Sequence, residues 1–438
     1  MFRSAESVDQ PPRRWSSHRK LLFKLAIVLA TIAAIEVSCL LILIFRYGSP
    51  SSIRDKRRSV AASTPESHAV DVDLPMILHP YQGAILKPIP PETSDEESHP
   101  SSVSVFGFFD ERSPIHKRSD GDLLVAVVGG SVAREMTQEA GDVLRRELAS
   151  IPEYEERSIT IIPLAVDGYK QPQQLMTISY LMTLGAEFDI VINLDGLNEA
   201  ALPAIDNVPA GVFTAFPRQW GTLVNMAESI EMQRRVGLVT YLRLQDRNEA
   251  RWFDTWPLRS CQTATLIWQI RFDRRRQLIH QQQDEIRELT KTETNYCASG
   301  PPQQFDNDQQ MYNHCIDLWQ RSSVLLNSLC EGNGIRYFHF LQPNQYLAGS
   351  KPMTPKQESL YRRANSLFRD PVINCYPEMR LRGNDLTANG VNFTDLTQLF
   401  AHREEEIYAD DCCHVNTHGS TLLAEAIASV IVDSLSNE

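Results

Sequence analysis

A continuous apolar run at residues 25–45, interrupted by a single charge at Glu36, constrains this chain more than any other feature. Its twenty-one residues would rise about 30 Å as a helix, the depth of a bilayer's hydrocarbon layer. Cationic flanks bracket it. Arg3, Arg13, Arg14, Arg19, Lys20 and Lys24 outnumber Glu6 and Asp9 before it; Arg46, Arg54, Lys56, Arg57 and Arg58 outnumber Asp55 after it. No small-residue cleavage site closes the run, which separates it from a secretory signal peptide. A buried core helix would share the hydropathy, but cores rarely begin directly after a basic tail. The expectation is a transmembrane helix over residues 21–46 behind a cytoplasmic tail at 1–20. Glu36 is costly near mid-span and calls for a proton or a partner helix. Both flanks are basic, so charge asymmetry does not orient the span. A short tail ahead of a large body favours a body on the extracytoplasmic side, periplasmic or extracellular.

The whole chain carries a net charge of −12, so with basic flanks the body is strongly acidic. Its 42% hydrophobic content suffices for a globular core, and the acidity argues against a nucleic-acid partner. Cys39 lies in the apolar run. Cys261, Cys297, Cys315, Cys330, Cys375, Cys412 and Cys413 lie in the body, an odd number that leaves a thiol over if disulfides form. No Cys-x-x-Cys pair suggests a zinc ribbon.

Residues 47–74, rich in Ser, Pro and charge, read as a flexible linker. Residues 75–120, with a Pro-rich stretch at 87–93 and an acidic run at 94–98, read as an extended lead-in. From residue 121 the pattern changes. Apolar runs at 123–128, 159–165 and 188–194 alternate with helical spacing at 132–148 and 174–184, which implies a parallel sheet covered on both faces. Residues 200–333 are helical throughout, with long patterns at 266–289 and 309–329, and read as an insertion. Its charged run around 271–291 reads as a solvated helix face. A strand at 337–341 and a closing helix at 419–435 complete the domain at 121–438.

In parallel sheets, ligands bind beyond the carboxyl ends of the strands. Gly129-Gly130-Ser131 follows the first strand, Asp167-Gly168-Tyr169 the second, and Asp195-Gly196-Leu197-Asn198-Glu199 the third. Asp410-Asp411-Cys412-Cys413-His414 precedes the last helix. Singly, Ser131 reads as a helix cap, Gly168 as a turn residue and Asn198 as an Asx-turn residue. Their order and spacing give them weight together.

Those four blocks resemble the SGNH (GDSL-like) hydrolase superfamily: Ser131 in Gly-Gly-Ser-Val, Gly168 in Val-Asp-Gly-Tyr, Asn198 in Gly-Leu-Asn-Glu, and Asp411 with His414 in Asp-x-x-His. Asn416 and Gly419 after the histidine fit as well. His79-Pro80-Tyr81-Gln82-Gly83 and Phe340-Leu341-Gln342-Pro343 look like segments of larger, membrane-anchored bacterial members. The resemblance covers residues 120–200 and 335–435. Two positions depart from the common pattern: Gly130 and Glu199 both stand where Asp is usual, as they do in several branches.

The resemblance implies a flavodoxin-like α/β/α sandwich with a parallel sheet. It also implies a serine esterase or acyl-hydrolase working through an acyl-enzyme. Ser131 would be the nucleophile, His414 its base, and Asp411 the carboxylate that holds the imidazole. The backbone N–H groups of Ser131 and Gly168 and the Asn198 amide would receive the oxyanion. Asp410 competes with Asp411, and His418 with His414; spacing favours Asp411 and His414. Adjacent Cys412 and Cys413 suit burial, or a bridge from one of them to Cys375, better than bonding each other. No metal or organic cofactor is implied. The substrate is an ester-bearing small molecule, lipid or glycan. O-acyl transfer to a cell-envelope glycan would use the same site, and a non-catalytic envelope scaffold is the reading from another class. Asn392-Phe393-Thr394 matches a glycosylation acceptor.

Overall fold

The computed structural model describes residues 17–62, 76–89, 102–292 and 296–436. The tail before residue 17, the linker at 63–75 and the acidic run at 94–98 lie outside the described residues. In chain order the elements are α1 (Ser17–Tyr47), α2 (Pro50–Ala62), β1 (Met76–His79), β2 (Gly83–Leu86), β3 (Asp122–Gly129), α3 (Ser131–Leu148), β4 (Ser158–Pro163) and α4 (Gln173–Thr183). Then follow β5 (Ile190–Asp195), α5 (Leu197–Leu202), α6 (Trp220–Glu228), α7 (Ile230–Phe253), α8 (Gln262–Thr292), α9 (Tyr296–Ser299) and α10 (Asp308–Glu331). β6 (Arg336–Leu341), α11 (Pro355–Tyr361), α12 (Arg369–Ala388), β7 (Asn392–Asp395) and α13 (Thr417–Ser436) complete the chain. They divide into two compact units, Met1–Pro65 with Leu238–Gln282, and Glu66–Gly237 with Gln283–Glu438.

In the larger unit, five parallel strands lie in the order β4-β3-β5-β6-β7. Numbered within the sheet this is the doubly wound, flavodoxin-like order, and the strand order reverses beside β3. Leu123 to Val128 are all buried, as expected for a parallel strand covered on both faces. Right-handed crossovers then put α3 on one face and α4, α10 and α12 on the other. α3 turns Val132, Met136, Ala140, Leu144 and Leu148 inward at four-residue spacing, and it packs against α13. On the far face α10 buries Trp319 and packs against α12.

Three expectations change. α10 was expected within the insertion, but it covers the sheet as the β5–β6 crossover; the segment belonging to the other unit is Leu238–Gln282. The linker at 47–74 begins with helix α2. The sheet gains β7, whose sequence Asn-Phe-Thr-Asp has no alternating or continuous apolar pattern. Asn392 of the glycosylation motif opens this strand and donates its amide to Tyr337 O at 3.1 Å.

In the smaller unit, α1 contains a 27-residue stretch, Leu21–Tyr47, of mean hydropathy 2.7. It is long and apolar enough to cross a membrane and fits single-pass anchoring. α13 passes the same length and composition test, but half of it is buried and it serves as a core helix. Leu43 of α1 and Ile53 of α2 pack with Ala250, Phe253, Ala264, Leu266, Trp268 and Phe272. Glu36 has a partner helix: its carboxylate accepts the N–H groups of Gln262 at 2.6 Å and Thr263 at 3.1 Å, at the start of α8. Arg57, with no side-chain exposure, pairs with Asp254 at 3.3 Å.

Candidate active site

Three sheet-to-helix turns and one loop meet at the carboxyl end of β3, where the strand order reverses. α3 begins directly after β3, with Gly130 as its cap residue and Ser131 as its first helical residue. No side chain caps that end of α3, so the Ser131 hydroxyl is not engaged as a helix cap. It lies 2.7 Å from His414 Nε2 instead. His414 Nδ1 faces a carboxylate at 2.5 Å, and that carboxylate belongs to Asp410.

The expected carboxylate, Asp411, is therefore corrected. Asp410 Oδ1 accepts the backbone N–H groups of Cys412, Cys413 and His414 at 2.9, 3.0 and 3.1 Å. The chain wraps round this one oxygen, which leaves Oδ2 aimed at the imidazole. Asp411 points away, toward Arg363 at 3.8 Å. The competing His418 pairs with Glu405 at 3.4 Å, outside the relay.

Charge sets the state of the relay. Burial works against the charged imidazole, but the Asp410 hydrogen bond and charge, with Glu135 behind them, outweigh it and hold His414 up at about 9. Asp410 is pulled below the usual carboxylate range: burial opposes this, and the bond to His414 and the backbone donors prevail. Glu135 stands one helical turn after Ser131 on α3. Burial raises it, while His414 and Arg134 draw it back. Sequence reasoning missed Glu135; its position four residues after Ser131, on the same face of α3, is the signal that could have found it.

The expected oxyanion donors surround the same spot. Asn198 donates through Nδ2 to Tyr169 O at 2.7 Å, which leaves the second amide hydrogen to give. A Cβ on Gly130 would fall 2.2 Å from that Nδ2. This close approach leaves no room for a larger side chain beside Ser131 unless Asn198 moves. Gly168 has φ +76°, a conformation that favours glycine. Asp167 before it bonds Arg134 of α3 at 2.5 Å, so its loop is tied to both α3 and Asn198. Among the described residues, the N–H groups of Ser131 and Gly168 meet no acceptor.

Glu199, the other departure, locks two turns together. It accepts Gly196 N–H at 2.9 Å, Gln171 N–H at 2.9 Å and the Gln174 amide at 3.0 Å. Burial and the charge of Asp195 push it up to about 8.

A second serine–histidine–aspartate chain runs through the sheet. Ser323 Oγ lies 2.7 Å from His339 Nδ1, and His339 Nε2 lies 2.8 Å from Asp195 Oδ1. Trp319 Nε1 and Asn193 Nδ2 also donate to Asp195, both at 2.8 Å. His339 and Asp195 have 0% and 1% side-chain exposure, so no substrate reaches them. This chain is a satisfied polar core.

All eight cysteines are free thiols, Cys375 among them; of the two alternatives for Cys412 and Cys413 the bridge to Cys375 does not form, and Cys413 is buried with Cys412 partly so. Cys412 Sγ and Cys413 Sγ are 3.4 Å apart. With a His414 nitrogen they form a group of possible metal ligands within 4.8 Å of one another. Both ring nitrogens already serve Asp410 and Ser131, so an ion there would have to displace the relay.

Comparison with known proteins returns no matching family model and no matching curated relative.

Proposed function

We propose that this chain is a membrane-anchored serine hydrolase of the SGNH type, acting on ester bonds. The observation that carries this reading is the Ser131–His414–Asp410 relay, which ends beside two unengaged N–H groups at the point where the sheet order reverses. Ser131 Oγ attacks the ester carbonyl carbon while its proton passes to His414 Nε2. Asp410 fixes the tautomer and stabilises the imidazolium without taking its proton. The N–H groups of Ser131 and Gly168 and the Asn198 amide receive the developing oxyanion, each worth about 2.7–4 kcal/mol. Nε2 returns the proton to the leaving alcohol. Water, deprotonated by the same nitrogen, then attacks the acyl-enzyme, releasing the acid and restoring Ser131.

A fluorophosphonate probe tests this reading. Wild-type protein is expected to label at one site, and Ser131→Ala to remain unlabelled. A folded wild type that fails to label would favour a non-catalytic scaffold. The catalytic unit is proposed to lie on the extracytoplasmic side of α1. Protease added to intact cells should then digest it; digestion only after lysis would reverse that orientation.

A further inference from the structure

The segment after the active-site loop carries a cation that the hydrolytic chemistry does not use. Arg218 lays its side chain across Gly168: a Cβ built there would stand 3.0 Å from Arg218 Cδ and 3.7 Å from Nη1. Gly168 is the candidate oxyanion donor. Its neighbour Asp167 is bonded to α3, and its neighbour Tyr169 to Asn198. Among the described residues Arg218 makes no ion pair and no hydrogen bond. Asp206 senses its charge at a distance, but the Asp206 carboxylate accepts the Gln219 N–H at 2.6 Å.

Rigid contacts hold the backbone that leads into Arg218. Lys170, 1% exposed, donates Nζ to Phe216 O at 2.6 Å and also to Thr214 O. Asn207 Nδ2 donates to the carbonyls of Phe213, Phe216 and Pro217 at 3.3, 3.1 and 3.3 Å. Gln219 takes φ +58° directly after the arginine, the one non-glycine residue with positive φ among the described residues. Such strain persists where the surrounding structure over-determines it, and it clusters at functional sites. A half-buried, unpaired guanidinium loses part of its hydration and gains it back from a planar oxyanion.

We propose that Arg218 forms an anion subsite beside the nucleophile, and that the substrate is an ester bearing a carboxylate or phosphate within a few bonds of the scissile carbonyl. This rests on the hydrolase reading for its chemistry, but not for binding. The planar guanidinium fork would take two oxygens of the anion while the ester carbonyl sits among the N–H groups of Ser131 and Gly168.

The test compares matched substrates on the full-length protein. Ethyl hydrogen succinate against ethyl butyrate probes a carboxylate on the acyl side. 2-Acetoxyethyl phosphate against 2-methoxyethyl acetate probes a phosphate on the alcohol side. Wild type is expected to favour the anionic member of at least one pair tenfold or more in kcat/KM. Arg218→Gln should abolish that ratio and Arg218→Lys should keep part of it. Equal ratios in wild type and Arg218→Gln, or a wild type preferring both neutral esters, would overturn the subsite. Binding of N-propylsuccinamate against N-propylbutanamide, by calorimetry, reads the same preference without turnover. A retained preference in a protein that cleaves no ester would leave the subsite standing and remove the hydrolase. No preference in wild type for the anionic member of either ester pair or for the succinamate, with both neutral esters cleaved, would do the opposite.

Discussion

Asp410 Oδ2 lies 2.5 Å from His414 Nδ1, four residues along a loop that folds back on its own carboxylate. The three N–H groups gathered on Oδ1 come from the same loop. The segment that carries His414 thus positions the carboxylate that faces it, and the residues after β6 brace that segment: Gln345 Nε2 donates to Asp410 O at 3.1 Å and Asn344 Nδ2 to Cys412 O at 2.9 Å.

Asp410→Asn should therefore drop ester turnover by about 10⁴-fold, because an amide at that position favours the wrong imidazole tautomer. Asp411→Asn should stay within about twofold, since its half-exposed contact to Arg363 is of the kind worth little. Steady-state rates on one reporter ester decide between them. A large loss in the Asp411 variant and none in the Asp410 variant would restore the sequence expectation.

The pH dependence follows from the raised imidazole. Attack needs neutral Nε2, and His414 is held up at about 9. Turnover should climb with pH through the neutral range, reach half its maximum near pH 9 and level off only above it. Glu135→Gln removes one negative neighbour, so the midpoint should fall and the rate at pH 7 should rise. Stability moves the other way. A histidine raised above its unfolded value near 6.5 contributes stability fully present below that pH and lost as pH rises through 9. Thermal midpoints should decline over the interval in which activity grows; parallel rise of both would contradict the assignment.

Asn198→Ala should lower kcat by about 10²–10³-fold with little change in KM, as expected for a donor that acts on the transition state. Gly130→Ala should do similar damage by a different route. Its Cβ would enter the space of Asn198 Nδ2 at 2.2 Å and displace the amide. Pre-steady-state acylation rates for both variants check this.

Much of this site was legible because three of the four blocks follow a strand and carry a glycine that lets the chain turn, and the fourth precedes the closing helix. Ser131, Gly168, Asn198 and His414 come together as their order suggested. The carboxylate was misread because motif spacing counts residues, whereas the loop's backbone donors select which of two adjacent aspartates turns inward. β7 escaped notice because an edge strand needs backbone partners from β6 more than an apolar pattern. Arg218 carried no sequence signal, since its proximity to Gly168 arises from the packing of a segment fifty residues downstream.

His339→Ala should cost about 1–3 kcal/mol, the usual penalty when a buried polar group loses its hydrogen-bond partner. Asp195 would keep its bonds from Trp319 and Asn193 but lose the His339 contact that helps draw it below its usual value against burial. Urea denaturation of the solubilised protein measures this. A variant as stable as wild type would mean that Asp195 and Ser323 are satisfied without the imidazole.

Glu36 makes the last prediction, because two demands meet at one residue. In hydrocarbon a glutamate is costly and a leucine favourable. At the start of α8, the same carboxylate takes N–H groups that the helix cannot satisfy itself. Glu36→Leu should therefore insert at least as well as wild type while the first turn of α8 opens more readily. Loss of a helix cap costs about 0.5–2 kcal/mol, which corresponds to amide exchange roughly 2- to 30-fold faster at Gln262 and Thr263. Glu36→Gln keeps an acceptor oxygen and should fall between the two. Hydrogen exchange in detergent reads these amides directly. Unchanged exchange in the leucine variant would show that α8 does not depend on α1 for its cap, and would leave Glu36 to be explained by some other partner.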